Sequence, residues 1–319
     1  MRKTIVVLSV LALAACASTQ PRGVELAPAP AQAAAGHDNL NAVAWMQTAS
    51  EWQALSRQAF TAASRQLAAA VEHLELLESM NPDPKASPNA LISNTYEAAA
   101  RNQRQWNALV PSERVADDAR EPLAVIVDVD ETVLDNSPYQ ARQVRDGLPG
   151  FDETSWSAWV QERKARPLPG ALEFARRAAD DGVTVFYVTN RDARDREATI
   201  DNLRAAGFPL PDDGSTVMVI DESRGWTGDK AIRRREVDRT HRVVLLIGDN
   251  LGDFLGGASA DNAARAALVE PYQSWWGERW FMLPNPAYGS WEGAATRYCK
   301  DPALAQDPRG CKLTQLRYD

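Results

Sequence analysis

The apolar run Leu123-Ala124-Val125-Ile126-Val127 ends abruptly in Asp128-Val129-Asp130-Glu131-Thr132. Continuous β-branched runs of this kind suit a parallel strand covered on both faces, since a strand with one wet face alternates instead. Similar runs occur at residues 183–188, 216–220 and 243–247, and residues 266–269 read as a fifth. Segments of helical spacing lie between them, at 170–180 and 195–206. Strand and helix in alternation predict an α/β fold with a doubly wound, mostly parallel sheet. The connection from 135 to 182 is longer than a simple crossover needs. It reads as a cap insertion over the carboxyl ends of the strands.

The rest of the chain divides by texture. Arg2 and Lys3 precede an apolar stretch, 5–15, too short to span a bilayer, which ends Leu13-Ala14-Ala15-Cys16. Residues 1–16 resemble a bacterial lipoprotein signal, with Cys16 as the lipidation site. Ala17 rather than Asp follows the cysteine, which favours an outer-membrane lipoprotein, facing the periplasm or the surface. Residues 17–38, rich in Ala and Pro and free of aromatics, read as a flexible tether. Residues 39–120 form a helical N-terminal region. Trp45, Trp52, Leu55, Ala59, Ala63, Leu67, Val71 and Leu74 recur mostly three or four apart, as in a helix with one packed face. A second helical stretch is expected over 88–109. These helices either cover the sheet or form a dimer contact. Residues 121–319 read as a second domain, which carries the sheet and its insertion.

Composition narrows the partners. The formal net charge is -8 and the pI about 5.1. An acidic chain without a Lys/Arg-rich run does not favour a nucleic-acid polymer. His37, His73 and His241 are too scattered for a zinc site. Cys299 and Cys311 are either a disulfide or two free thiols.

Ligands of open α/β sheets bind beyond the carboxyl ends of the strands. There the first run presents Asp128 and Asp130, and the second Thr189, Asn190 and Arg191. Lys230 follows the third, and the fourth leads into Asp249 and Asp253. Carboxylates gathered at the end of an apolar sheet need a counter-charge. A hard divalent cation with oxygen ligands supplies it, and Mg2+ suits a site that leaves room for phosphate oxygens. One carboxylate can then attack phosphorus while its neighbour moves a proton to or from the leaving oxygen.

Asp128-x-Asp130-x-Thr132, Thr189, Lys230 and Gly248-Asp249-x-x-x-Asp253 resemble, in order, the four motifs of the haloacid-dehalogenase-like phosphatase superfamily. Position 130 is Asp, as in the hydrolases of that superfamily, where its pumps carry Thr. Residues 126–139 (Ile-Val-Asp-Val-Asp-Glu-Thr-Val-Leu-Asp-Asn-Ser-Pro-Tyr) and 246–254 (Leu-Ile-Gly-Asp-Asn-Leu-Gly-Asp-Phe) look like the signatures of class C bacterial acid phosphatases, the outer-membrane lipoprotein 5′-nucleotidases. So do Phe186-Tyr-Val-Thr-Asn-Arg191 and Leu283-Pro-Asn-Pro-Ala-Tyr-Gly-Ser-Trp291.

The resemblance implies a magnesium-dependent phosphomonoesterase acting on a small substrate, a nucleoside monophosphate in particular. Asp128 would be the nucleophile and Asp130 the acid/base. Asp128, Asp249, Asp253 and the Asp130 carbonyl would hold Mg2+. Thr189, Asn190 and Lys230 would hold phosphate. Aromatic side chains would sandwich the base, and Tyr139, Trp156, Trp159 and Trp226 are the candidates, with two of them expected in the pocket. A homodimer is implied too. Glu131 reads either as an orienting group or as a solvated carboxylate. Arg233, Arg234 and Arg235 read as a solvated helix face. Two alternatives use the same residues: a surface lipoprotein that binds nucleotide or haem without turnover, and a phosphotransferase.

Overall fold

The run 123–127 is strand β1, and all of its residues are buried. Two short strands, β2 (Leu134–Asp135) and β3 (Arg166–Pro167), pair antiparallel beyond it. Strands β4 (Thr184–Val188), β5 (Val217–Met218), β6 (Arg242–Gly248) and β7 (Trp280–Met282) join β1 in a five-stranded sheet of order β5-β4-β1-β6-β7. Every neighbouring pair in that sheet is parallel. The chain winds outward from β1 in both directions, so a crevice opens beyond the ends of β1 and β6. The computed structural model describes residues 39–80, 106–115, 121–148, 150–299, 301–304 and 306–318. The expected leader and tether, with Cys16, lie outside the described residues.

Helices α1 (Leu40–Thr48) and α2 (Ser50–Met80) precede the sheet, and α3 (Ser137–Asp146) and α4 (Glu153–Gln161) form the insertion. Helices α5 (Ala171–Asp180), α6 (Arg196–Ala206) and α7 (Ala231–Asp238) are crossovers between strands. Helices α8 (Asn262–Val269), α9 (Ser290–Thr296) and α10 (Pro308–Leu313) follow. Among the described residues, no helix is long and apolar enough to cross a membrane.

Alternation along β1 divides the core. Val125 and Val127 pack in one cluster with Phe60, Ala63 and Leu67 of α2 and Phe174 of α5. Ala124 and Ile126 pack in the other with Leu109, Val237, Phe254 and Trp280. The N-terminal helices therefore cover one face of the sheet. The Phe60 and Phe174 rings lie 5.7 Å apart, and Ser56 donates to the Pro169 carbonyl at 2.8 Å. The insertion docks on the turn after β4, where Ser157 and Gln161 of α4 donate to Asp195 at 2.7 and 2.9 Å. Cys299 and Cys311 are joined in a disulfide near the end of the chain.

Three expectations need correction. Residues 266–269 belong to a helix, not a strand. Asp261 caps it by accepting from the Ala264 amide, and the alanine-rich run favours helix once a cap starts it. The fifth strand is Trp280–Met282, too short for its period to show. The third strand is confined to Val217–Met218 within the expected 216–220. The described end of the second helical stretch, 106–109, is not helical. There Ala108 donates to the Val243 carbonyl at 2.7 Å and accepts from the Trp280 indole at 2.8 Å.

Because α2 and the sheet share one core, Phe60→Ala should lower the unfolding free energy by about 3–5 kcal/mol. Chemical denaturation should show that loss in one cooperative transition. A separate early transition for the N-terminal helices would contradict the shared core.

Candidate active site

Beyond β1 the Asp128 amide still pairs with the Ile247 carbonyl at 2.9 Å, which continues the parallel ladder. The chain then folds back: the Val133 and Leu134 amides both donate to the Val129 carbonyl, at 3.0 and 2.8 Å. Glu131 takes a left-handed backbone with φ 55° to make this turn. Its side chain is buried, not solvated, and accepts from the Asn136 amide at 2.9 Å. Burial, helped by Asp130 and Asp249, raises its pKa well above the ordinary glutamate value.

On the neighbouring strand, β6 delivers Asp249 and a tight turn brings back Asp253, whose Oδ2 accepts from the Asn250 amide at 2.9 Å. Only glycine fits at 248, since a Cβ there would lie 2.3 Å from that Oδ2. Lys230 stands at the N-terminal end of α7, and its Nζ donates to Asp128 and, at 2.6 Å, to Asp253. One oxygen from each of Asp128, Asp249 and Asp253 falls within 4.8 Å of the other two. Asp249 is steadied from the side by the Asn285 amide at 2.8 Å and Thr132 at 3.4 Å.

This cluster has more acid than base. Three carboxylates face one ammonium, a net of two negative charges if all are ionised. Burial is the largest influence on Asp128, and together with Asp253 and Asp130 it outweighs Lys230 to push the carboxyl up to about 7. Burial and the charges of Asp128 and Asp253 also hold Asp249 well above the ordinary range. Burial opposes the charge on Lys230, but the attraction of Asp128 and Asp253 wins and raises its pKa. A divalent cation would balance the remaining charge and give these oxygens a hard partner, so the residues fit one.

Asp130 stands apart from the cluster. Its carboxylate accepts from Arg191 Nη2 at 2.8 Å and Nε at 3.0 Å, from Asn136 Nδ2 at 2.9 Å and from Thr189 Oγ1 at 3.0 Å. Thr189 therefore directs its hydroxyl to Asp130. The Asn190 amide donates to the Gly228 carbonyl at 2.9 Å and accepts from Arg233 at 2.5 Å, so that side chain braces the loop. Asn136 also accepts from the Trp159 indole at 2.8 Å, which ties the cap to Asp130.

The four aromatic candidates separate. Trp159 is buried and bonded to Asn136. Tyr139 is buried against Ser155 and Gln143, with contacts of 3.1 and 2.8 Å. Trp226 is buried too, with the Arg224 guanidinium 3.6 Å from its ring centroid. Trp156 alone of the four is half-exposed, 5.7 Å from the Arg191 guanidinium. Three of these rings are enclosed by their neighbours, and Trp156 keeps the most open surface of the four. Phe151 is exposed, 6.3 Å from Trp156. Sequence reasoning missed the roles of Arg191, Asn136 and Asn285. All three lie inside the family-like segments; Arg191 and Asn285 meet partners distant in sequence, and Asn136 meets Asp130 six residues away through the turn after β1.

The chain belongs to the HAD superfamily, subfamily IIIB, the acid phosphatases, whose pattern matches residues 84–291. This is a family of phosphomonoester hydrolases. The fold is similar to the class C acid phosphatase from Bacillus anthracis, with TM-score 0.66 and 29% identity over 88% of this chain and 97% of that one. The tungstate-bound form of that protein matches with TM-score 0.66 and 28% identity, over the same shares. Acid phosphatase 1 of Solanum lycopersicum is 33% identical over 54% of this chain and 61% of its own length. A stem 28 kDa glycoprotein of Glycine max is 26% identical over 51% and 58%. The matched region thus spans about three-fifths of these curated relatives.

A carboxyl raised from 3.8 to about 7 keeps a proton in the folded state that the unfolded chain has lost. Its contribution to stability is full below about 4 and gone above about 7. In chelator, wild-type Tm should fall relative to Asp128→Asn as pH rises from about 5 to about 8. A constant difference would mean that Asp128 is ionised throughout.

Proposed function

We propose that the protein is a magnesium-dependent phosphomonoesterase with 5′-nucleotides as preferred substrates, working through a phospho-aspartate on Asp128. The observation that carries this reading is the convergence of Asp128, Asp249, Asp253 and Lys230 beyond β1 and β6 in an acid phosphatase fold. The three carboxylates, with the Asp130 carbonyl, would hold Mg2+. When bound, the ion supplies positive charge that lets nucleophile and phosphate approach. That a similar class C acid phosphatase is seen with tungstate, a tetrahedral oxyanion like phosphate, supports a phosphoryl site here.

The residues divide the steps. An Asp128 oxygen attacks phosphorus, the bond from phosphorus to the ester oxygen breaks, and Asp130 gives its proton to the departing alkoxide. Asp130 then takes a proton from water, whose oxygen attacks phosphorus. The bond to Asp128 breaks and inorganic phosphate leaves. Arg191, Asn136 and Thr189 aim the Asp130 carboxylate, and Lys230 neutralises charge on the transferring group. Thr189 acts on the phosphate through Asp130, to which its hydroxyl donates at 3.0 Å. Trp156, with Phe151 beside it, supplies an aromatic surface for a base.

Phosphate release by the soluble protein starting after Cys16 tests the reading. The panel comprises several 5′-nucleotides, a 3′-nucleotide, glycerol phosphate and an aryl phosphate. Mg2+ should support turnover, chelation should stop it, and 5′-nucleotides should be fastest. Asp128→Asn should lower kcat by at least about 10³-fold. Near wild-type activity in that variant would sink the covalent mechanism, and activity after thorough chelation would remove the metal from it.

We further propose that Cys16 carries a lipid anchor holding the enzyme at the outer membrane. The support is the basic, apolar and Leu13-Ala14-Ala15-Cys16 sequence alone. Cys16→Ser should move the protein from the membrane to the soluble fraction. Retention of that variant in the membrane would argue against the anchor.

A further inference from the structure

We infer that α7 is the positioning element shared by both halves of the active site: Arg233 holds the phosphate loop and Arg234 holds the cation loop, on the helix that begins at Lys230. The inference rests on the phosphatase reading above. Residues 230, 233 and 234 lie three and four apart and so share one helix face. Arg235 is exposed, as a solvated face requires, but Arg233 and Arg234 have no accessible surface. That corrects the expectation of three solvated arginines: the face they share with Lys230 is turned into the protein.

The two buried guanidiniums reach in different directions. Arg233 donates to the Thr189 carbonyl, to Asn190 Oδ1 at 2.5 Å and to the Thr227 carbonyl at 2.8 Å. These are neutral oxygens on the loops after β4 and before α7, which the phosphatase reading sets beside the phosphate. A buried guanidinium whose hydrogen-bond partners are all neutral is costly, and Asp128, Asp253 and Asp229 offset that cost only in part, since burial still lowers its pKa. Its charge is useful where an anion is to be received. Arg234 forks onto Glu113 at 2.6 and 2.8 Å and donates to the Gly252 carbonyl at 2.8 Å. Glu113 also accepts from the Gly256 amide at 3.2 Å. Gly252 lies between Asp249 and Asp253, so this pair grips the loop that carries both carboxylates. Neither arginine touches the reacting atoms; each is a positioning residue.

The division predicts separable defects. Lysine keeps the charge but loses the planar fork, so Arg233→Lys and Arg234→Lys are the primary variants. Calorimetry would measure Mg2+ binding to the metal-free protein, and inorganic phosphate binding at saturating Mg2+. Arg234→Lys should weaken Mg2+ binding about tenfold or more and leave phosphate affinity within about threefold. Arg233→Lys should show the reverse. Glu113→Gln should repeat the Arg234 pattern, and Arg233→Gln the Arg233 pattern, should either lysine variant fail to fold. Equal loss of both affinities in both variants, or no loss in either, would overturn the inference while leaving the phosphatase reading intact. A wild-type protein that binds neither Mg2+ nor phosphate would overturn that reading, and this inference with it.

Discussion

Buried negative charge at the end of an apolar sheet is the constraint around which this molecule is organised. Asp128 and Asp253 sit beyond the ends of strands that are buried along their length. Water cannot solvate these carboxylates well, and a single ammonium does not balance them. Nearby features serve this cluster. Gly248 leaves room for the Asp253 carboxylate, Asn285 and Thr132 steady Asp249, and α7 brings Lys230 between two of the acids. Burial and mutual repulsion hold the Asp128 and Asp249 carboxyls above their ordinary pKa. The same imbalance makes the site attractive to a dication, so a cost in folding becomes affinity for a cofactor.

A second charged group, beside the first, is balanced in a different way. Asp130 is met by Asn136 from the turn that follows it and by Thr189 and Arg191 from the loop after β4. Through Asn136 the network reaches Trp159 on α4, and through Arg191 it lies near Trp156. The cap that would meet the substrate is thus tied to the group proposed to move the proton. Docking of α4 on Asp195 strengthens that tie from the other side.

Much of this organisation is legible in the chain itself. The run 123–127 declares a buried parallel strand, and its end declares where the acids gather. Spacing places Asp249 and Asp253 on one turn. The limits are equally physical. Residues 266–269 are apolar enough for a strand, yet a single Asp cap and neighbouring alanines make them helix. The three-residue strand 280–282 joins the sheet through the partner it meets, not through a period of its own. Arginines at 233 and 234 look solvated in a charged run, and only the packing of α7 shows that both are buried.

The order of motifs, the strand ends and the charge excess are local properties, and local chemistry sufficed to identify them. A strand needs only its own apolar side chains to be recognised, and an acid after it needs no partner to be counted. Partners are another matter. That Lys230 pairs with Asp128, that Arg191 holds Asp130, that Glu113 reaches Arg234, and that Trp156 rather than Trp159 keeps an open face were decided by tertiary structure. Each depends on segments far apart in sequence meeting at one place, and on which side of a helix the sheet leaves for water.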